Sequence, residues 1–76
     1  MTKRDKLIQK ILDGKRVSFA EVDALLTHLG FKVTVRGSHH TYRKDPNYRV
    51  TLPVHGSELK TVYIKQVAEV LKQNGY

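Results

Sequence analysis

The stretch "FKVTVRGSHHTY" (residues 31–42) constrains this chain more than any other part of it. Its first half alternates strictly: Phe31, Val33 and Val35 on one side, Lys32, Thr34 and Arg36 on the other, the period of a half-buried strand. Gly37-Ser38 then suits a two-residue hairpin loop, with glycine at the first loop position of a type II′ turn. That loop predicts pairing of Arg36 with His39, Val35 with His40, Thr34 with Thr41, Val33 with Tyr42 and Lys32 with Arg43. Paired residues share a face. Lys32, Thr34, Arg36, His39, Thr41 and Arg43 are therefore expected on a wet face. Phe31, Val33, Val35, His40 and Tyr42 are expected on a face covered by helices. A slip of one residue would exchange His39 and His40.

The rest of the chain supplies partners for that hairpin. "YRVTLPV" reads as a third strand after the turn residues "DPN". Its alternation sends Tyr48, Val50, Leu52 and Val54 inward and Arg49, Thr51 and His55 outward. Before the hairpin, Ser18 and Glu21 have capping-box spacing, and Val17 with Val22 fits a hydrophobic staple. Val22, Leu25, Leu26 and Leu29 continue at helical spacing, Gly30 can take the left-handed stop, and Phe31 can fold back towards Leu26. A weaker capping signal, Thr2 with Asp5, precedes the narrow apolar stripe Leu7, Ile8, Ile11 and Leu12, which Gly14 stops. After about Leu59 the helical period returns with Ile64, Val67, Ala68 and Leu71, and Gly75 lies past its end. The expected fold is α+β, two layers, in the order α-α-β-β-β-α, with the helices on one face of an antiparallel sheet.

With 76 residues the chain has room for a single domain, residues 1–76, and no cysteine to staple it. Packing alone must hold it, in a chain whose size buries only about 60–65% of its unfolded surface. The N-terminus lacks the apolar run of a signal peptide, and no stretch approaches the roughly 20 apolar residues of a membrane span. A cytoplasmic protein without membrane association is expected. Fourteen Lys and Arg against seven Asp and Glu give a net charge of +7, a field that favours a polyanion, an acidic protein or both.

The wet face would carry Lys32, Arg36, Arg43 and Arg49 around His39, with Thr hydroxyls between them and His55 near the edge. Lys32 opposite Arg43 is a like-charge pair that costs stability, and a bound phosphate backbone would relieve it. The surface thus suits phosphodiester chemistry. Histidine, titrating near pH 6.5 in its free form, suits proton transfer at neutral pH. RNA cleavage needs a base for the 2′-OH proton, an acid for the leaving oxygen, and cations for the charge between. His39 can do one proton job and Arg36 or Arg43 the charge stabilisation. His55 is the other acid or base in range, or simply an edge-strand residue. His40 reads as structural, and His28 as a residue at a helix C-terminus interacting with its dipole. His39 and His40 point to opposite faces and do not chelate one ion, so no metal or cofactor is expected. A non-catalytic RNA-binding module and a basic surface for an acidic protein are the competing readings.

The segment "LLTHLGFKVTVRGSHHTYRKDPNYRVTLPVH" resembles the HicA toxins of bacterial toxin–antitoxin systems. The resemblance lies in "LGF" before the first strand, "GSHH" with Tyr42 two residues on, "VTLPVH" on the third strand and the closing helix "TVYIKQVAEVLKQNGY", together about Ser18 to Gly75. It implies a fold similar to double-stranded-RNA-binding domains. It also implies a metal-independent, ribosome-independent mRNA interferase that inhibits translation and growth. The family histidine maps to His39, or to His40 in members that carry it one place later. Lys32, Arg36, Ser38, Thr41, Arg43, Arg49 and His55 are the expected RNA-binding set. The implied partners are mRNA and a HicB antitoxin, and the resemblance leaves open an oligomer of the toxin–antitoxin complex. Residues 17–75 form the family core. Residues 1–16 are an addition, whose role (packing, antitoxin contact or self-association) the sequence leaves open.

Overall fold

The computed structural model describes residues 2–45, 48–54 and 59–76. Along the chain run α1 (Lys3–Leu12), α2 (Phe19–His28), β1 (Lys32–Arg36), β2 (His39–Asp45), β3 (Tyr48–Pro53) and α3 (Thr61–Gln73). The strands form an antiparallel sheet in the order β1-β2-β3. This is the expected α+β arrangement.

Local signals start and stop the helices. Both α1 and α2 open on full capping boxes, Thr2 with Asp5 and Ser18 with Glu21, which satisfy amides that a helix start leaves unpaired. α2 ends in a Schellman motif: Gly30 takes φ +96°, the Phe31 N–H donates to the Leu26 carbonyl at 3.0 Å, and the Gly30 N–H donates to Thr27 at 3.1 Å. That turn reverses the chain and leads directly into β1.

The hairpin has the anticipated register, from Lys32 opposite Arg43 to Arg36 opposite His39. Gly37 has φ +57° while Ser38 stays out of the positive-φ region, the combination of a type II′ turn. β3 continues the register with Tyr42 opposite Val50, Thr41 opposite Thr51 and Arg43 opposite Arg49. Beyond Arg43 a bulge inserts one extra residue into β2, so Asp45, not Lys44, opposes Tyr48. Strand alternation alone does not announce it.

The core lies between the sheet and the helices, with Tyr42, Ile11, Leu26, Leu52, Ile64, Leu71, Val22 and Val67 fully buried. α3 lies over β3 and against α1, which also touches α2. Ile11 of α1 is thus as deeply buried as any residue of the later elements. Truncating such a side chain to alanine costs about 2–5 kcal/mol, against a total stability of about 4–11 kcal/mol for a chain of this size. α1 is therefore part of the structure that holds the sheet.

One expectation about the inward face is overturned. Phe31 is buried, and Lys44 reaches over its ring at 5.9 Å, but Val33 and Val35 are 40% and 55% exposed. Their strand parity is the anticipated one; helical cover is what they lack. α3 sits on β3, and α2 meets the sheet at β2, through Phe19 against His40 and Asp23 against Tyr42. The cover thins out before β1, every residue of which is exposed.

Candidate functional site

The face of the sheet away from the helices is built from three cross-strand rows. Strand parity and register define them. Arg36 and His39 stand beside Pro53 in one row; Thr34, Thr41 and Thr51 form the middle row; Lys32, Arg43 and Arg49 form the last. Side chains on one face of a strand recur every second residue, so successive rows are about 7 Å apart. Thr34, Arg36, Thr41, Arg43 and Arg49 line an open cavity of about 400 Å³. The Thr41 hydroxyl lies 3.3 Å from that of Thr51, its neighbour in the middle row.

Neighbouring Cβ atoms across antiparallel strands are about 5 Å apart, a spacing at which like charges repel. The Lys32–Arg43–Arg49 row puts three cations at such spacings. An anion bound in the cavity would be attracted to all of them, and the hydroxyls offer it hydrogen-bond donors. Each oxygen of a phosphodiester accepts hydrogen bonds and none donates, which matches this donor-rich surface.

Each site residue of the sequence reading that is described has a definite position. Lys32, Arg36, Thr41, Arg43 and Arg49 lie on the open face. Ser38 sits in the turn at its upper end, where its carbonyl accepts from the Val54 N–H at 2.7 Å. His39 is exposed, directly across from Arg36 and in the register of the open face. His55 lies outside the described residues. His28, also exposed, is at the last position of α2, remote in sequence and element from this face.

His40 is on the other side of the sheet. It is half-buried, with Phe19 of α2 against it edge-to-face, centroids 5.0 Å apart and planes at 61°. Its Nδ1 is buried and has no hydrogen-bond partner among the described residues. The two adjacent histidines therefore occupy different environments: one in solvent among cations, the other wedged between the sheet and a helix.

Two contacts under the site escaped sequence reasoning. The Tyr42 hydroxyl donates to Asp23 Oδ1 at 2.6 Å. Burial and the neighbouring Asp23 carboxylate push the Tyr42 phenol well above its ordinary range. Phe19 meets His40 in the same way, across the layer boundary. Both contacts join residues about twenty positions apart, and no local pattern announces them.

A family model described as the HicA toxin of bacterial toxin–antitoxin systems matches residues 19–76, from the start of α2 to the final residue. Searches of curated proteins and of solved structures returned no match.

Proposed function

Because the chain belongs to the HicA toxin family of bacterial toxin–antitoxin systems, we propose that its open sheet face binds mRNA and cuts it, with His39 as the acid/base residue. The observation that carries this reading is the pairing of His39 with Arg36 on the face that also holds the Lys32–Arg43–Arg49 row.

The chemistry follows from those side chains. The RNA backbone lies along the cavity, with phosphates held by Arg36, Arg43, Arg49 and Lys32 and by the Thr41 hydroxyl. The 2′-oxygen of one nucleotide attacks the adjacent phosphorus and gives up its proton. The P–O5′ bond breaks, and the leaving 5′-oxygen takes a proton, leaving a 2′,3′-cyclic phosphate and a free 5′-hydroxyl. His39 serves one of these proton transfers, worth about 10²–10⁴ in rate for a well-placed group. Arg36, its cross-strand neighbour, stabilises the charge that builds on the phosphoryl oxygens. Metal-independent, ribosome-independent cleavage of this kind removes messages and stops growth. The antitoxin is read as an acidic HicB-type protein that covers this face.

The test is RNA cleavage by the purified toxin, freed of antitoxin, compared with His39→Ala. Loss of cleavage and of growth inhibition in a variant that melts at the wild-type temperature is the expected result. Cleavage at the wild-type rate by His39→Ala removes His39 from the mechanism. RNA binding without any cleavage by the wild type would leave a binding module.

A further inference from the structure

β1 combines two features that the RNA-binding face does not explain. It is an edge strand with a strand neighbour on one side only among the described residues. On its helix side it also exposes Val33 and Val35, at 40% and 55%. Their cross-strand partners show what that side is built for: Tyr42, opposite Val33, is fully buried, and His40, opposite Val35, is half-buried. The apolar side of the sheet thus runs out to its edge beyond the reach of the helices. An edge with unpaired backbone groups and an apolar side is a template for an added strand.

The charge pattern of β1 selects what can be added. Its other side carries Lys32 and Arg36, with Thr34 between them. A second copy of β1 fits poorly. The antiparallel register that pairs all five residues sets Lys32 against Arg36 at both ends, and like charges directly opposite are destabilising. A strand with acidic residues facing Lys32 and Arg36 and apolar residues facing Val33 and Val35 satisfies both sides at once. RNA offers no such alternation.

We propose that β1 is the edge on which the antitoxin adds a strand, its carboxylates against Lys32 and Arg36 and its apolar residues against Val33 and Val35. This rests on membership of a toxin–antitoxin family and is independent of the ribonuclease assignment. On the ribonuclease reading, it also accounts for how docking silences the toxin. A carboxylate paired with Arg36 sits beside His39, in the row where substrate phosphate would bind, and competes with it for the same cations.

The experiment uses the purified toxin and its cognate antitoxin. Val33→Lys/Val35→Lys puts charge on the apolar side without touching the cation rows. Val62→Lys, at an equally exposed valine of α3, is the control. The double variant should bind antitoxin at least about 100-fold more weakly and escape neutralisation in cells. Its toxicity without antitoxin and its melting temperature should stay unchanged, and the control should bind normally. In the wild-type complex, the amides of Val33 and Val35, which alternate with the β2-bonded amides of β1 and point to the open edge, should exchange with deuterium more slowly than in the free toxin.

Wild-type affinity in the double variant overturns the proposal, as does equal weakening in Val62→Lys. A free-toxin dimer broken by Val33→Lys/Val35→Lys would assign the edge to a second copy instead, and also overturns it. Should the double variant unfold, amide exchange in the wild-type complex decides alone: unprotected Val33 and Val35 amides refute the added strand. If the wild type cleaves no RNA, the ribonuclease reading falls while these comparisons still decide the edge.

Discussion

The Tyr42 hydroxyl donates a 2.6 Å hydrogen bond to Asp23 Oδ1, tying the central strand of the sheet to α2 directly beneath the open face. Tyr42 is fully buried, and its ring fills the space between β2 and the helices. The bond holds α2 at the height at which Phe19 meets His40. These two contacts join β2 to α2 behind the open face.

Tyr42→Phe should therefore cost about 1–2 kcal/mol, since it deletes one hydrogen bond to a charged group but keeps the ring. In a domain of this size that lowers the melting temperature by about 5–15 °C, readable by circular dichroism. The phenol is held protonated more tightly in the folded chain than in the unfolded one, where it ionises near pH 10.0. Its contribution is complete below that pH and is lost as pH rises above it. Wild type should show this alkaline loss of stability, and Tyr42→Phe should show less of it.

His40→Phe separates the two histidines. The substitution keeps an aromatic ring against Phe19 and removes a buried nitrogen that has no partner among the described residues, a change that is close to neutral or stabilising. Cleavage within a few-fold of wild type and an equal or higher melting temperature are expected. Loss of cleavage by a hundredfold or more in folded His40→Phe would move the catalytic role to His40.

Salt dependence reports on the cation rows. If Lys32, Arg36, Arg43 and Arg49 each contact one phosphate of a single strand, log K should fall with log salt at a slope of about −2.8. Arg43→Ala should reduce that slope by about 0.7 and weaken binding at all sequences alike. Titrations of a fluorescent oligonucleotide between 50 and 300 mM salt (about that range, chosen to bracket physiological screening) measure it. An unchanged slope would take Arg43 out of the interface.

The capping box of α2 makes a prediction about acid. The Ser18 backbone N–H, followed by its hydroxyl, holds the Glu21 carboxyl below its ordinary value of 4.5, while its slight burial acts the other way. A depressed carboxylate stabilises the fold above that value, and the contribution is lost as pH falls through and below it. Glu21→Gln should flatten this part of the acid unfolding curve. Ser18→Ala should cost about 1 kcal/mol at neutral pH, through the lost cap. It should keep most of the acid dependence, because the backbone donor remains.

The elements themselves were readable because short-range rules set them. Capping boxes at Thr2 and Ser18, a Schellman stop at Gly30 and a two-residue turn at Gly37-Ser38 each depend on residues within six positions of one another. The turn then propagates: its length sets the parity of β2, and that parity separates His39 from His40 without any tertiary contact. The β2 bulge was not readable, because the alternation on either side of it looks continuous.

What the amino-acid sequence determined by itself is therefore the order of elements, the hairpin register and the membership of one cationic face, because backbone geometry and strand alternation dictate these locally. Tertiary structure alone decided which parts of the opposite face are covered. Val33 and Val35 have the parity of core residues and remain exposed, since burial depends on where α2 and α3 come to rest, and they rest on β2 and β3. It likewise decided that Asp23 meets Tyr42, that Phe19 meets His40, and that Ile11 of α1 completes the core. Those contacts arise only when the layers close, and the layers close wherever the whole chain buries the most apolar surface with its polar groups paired.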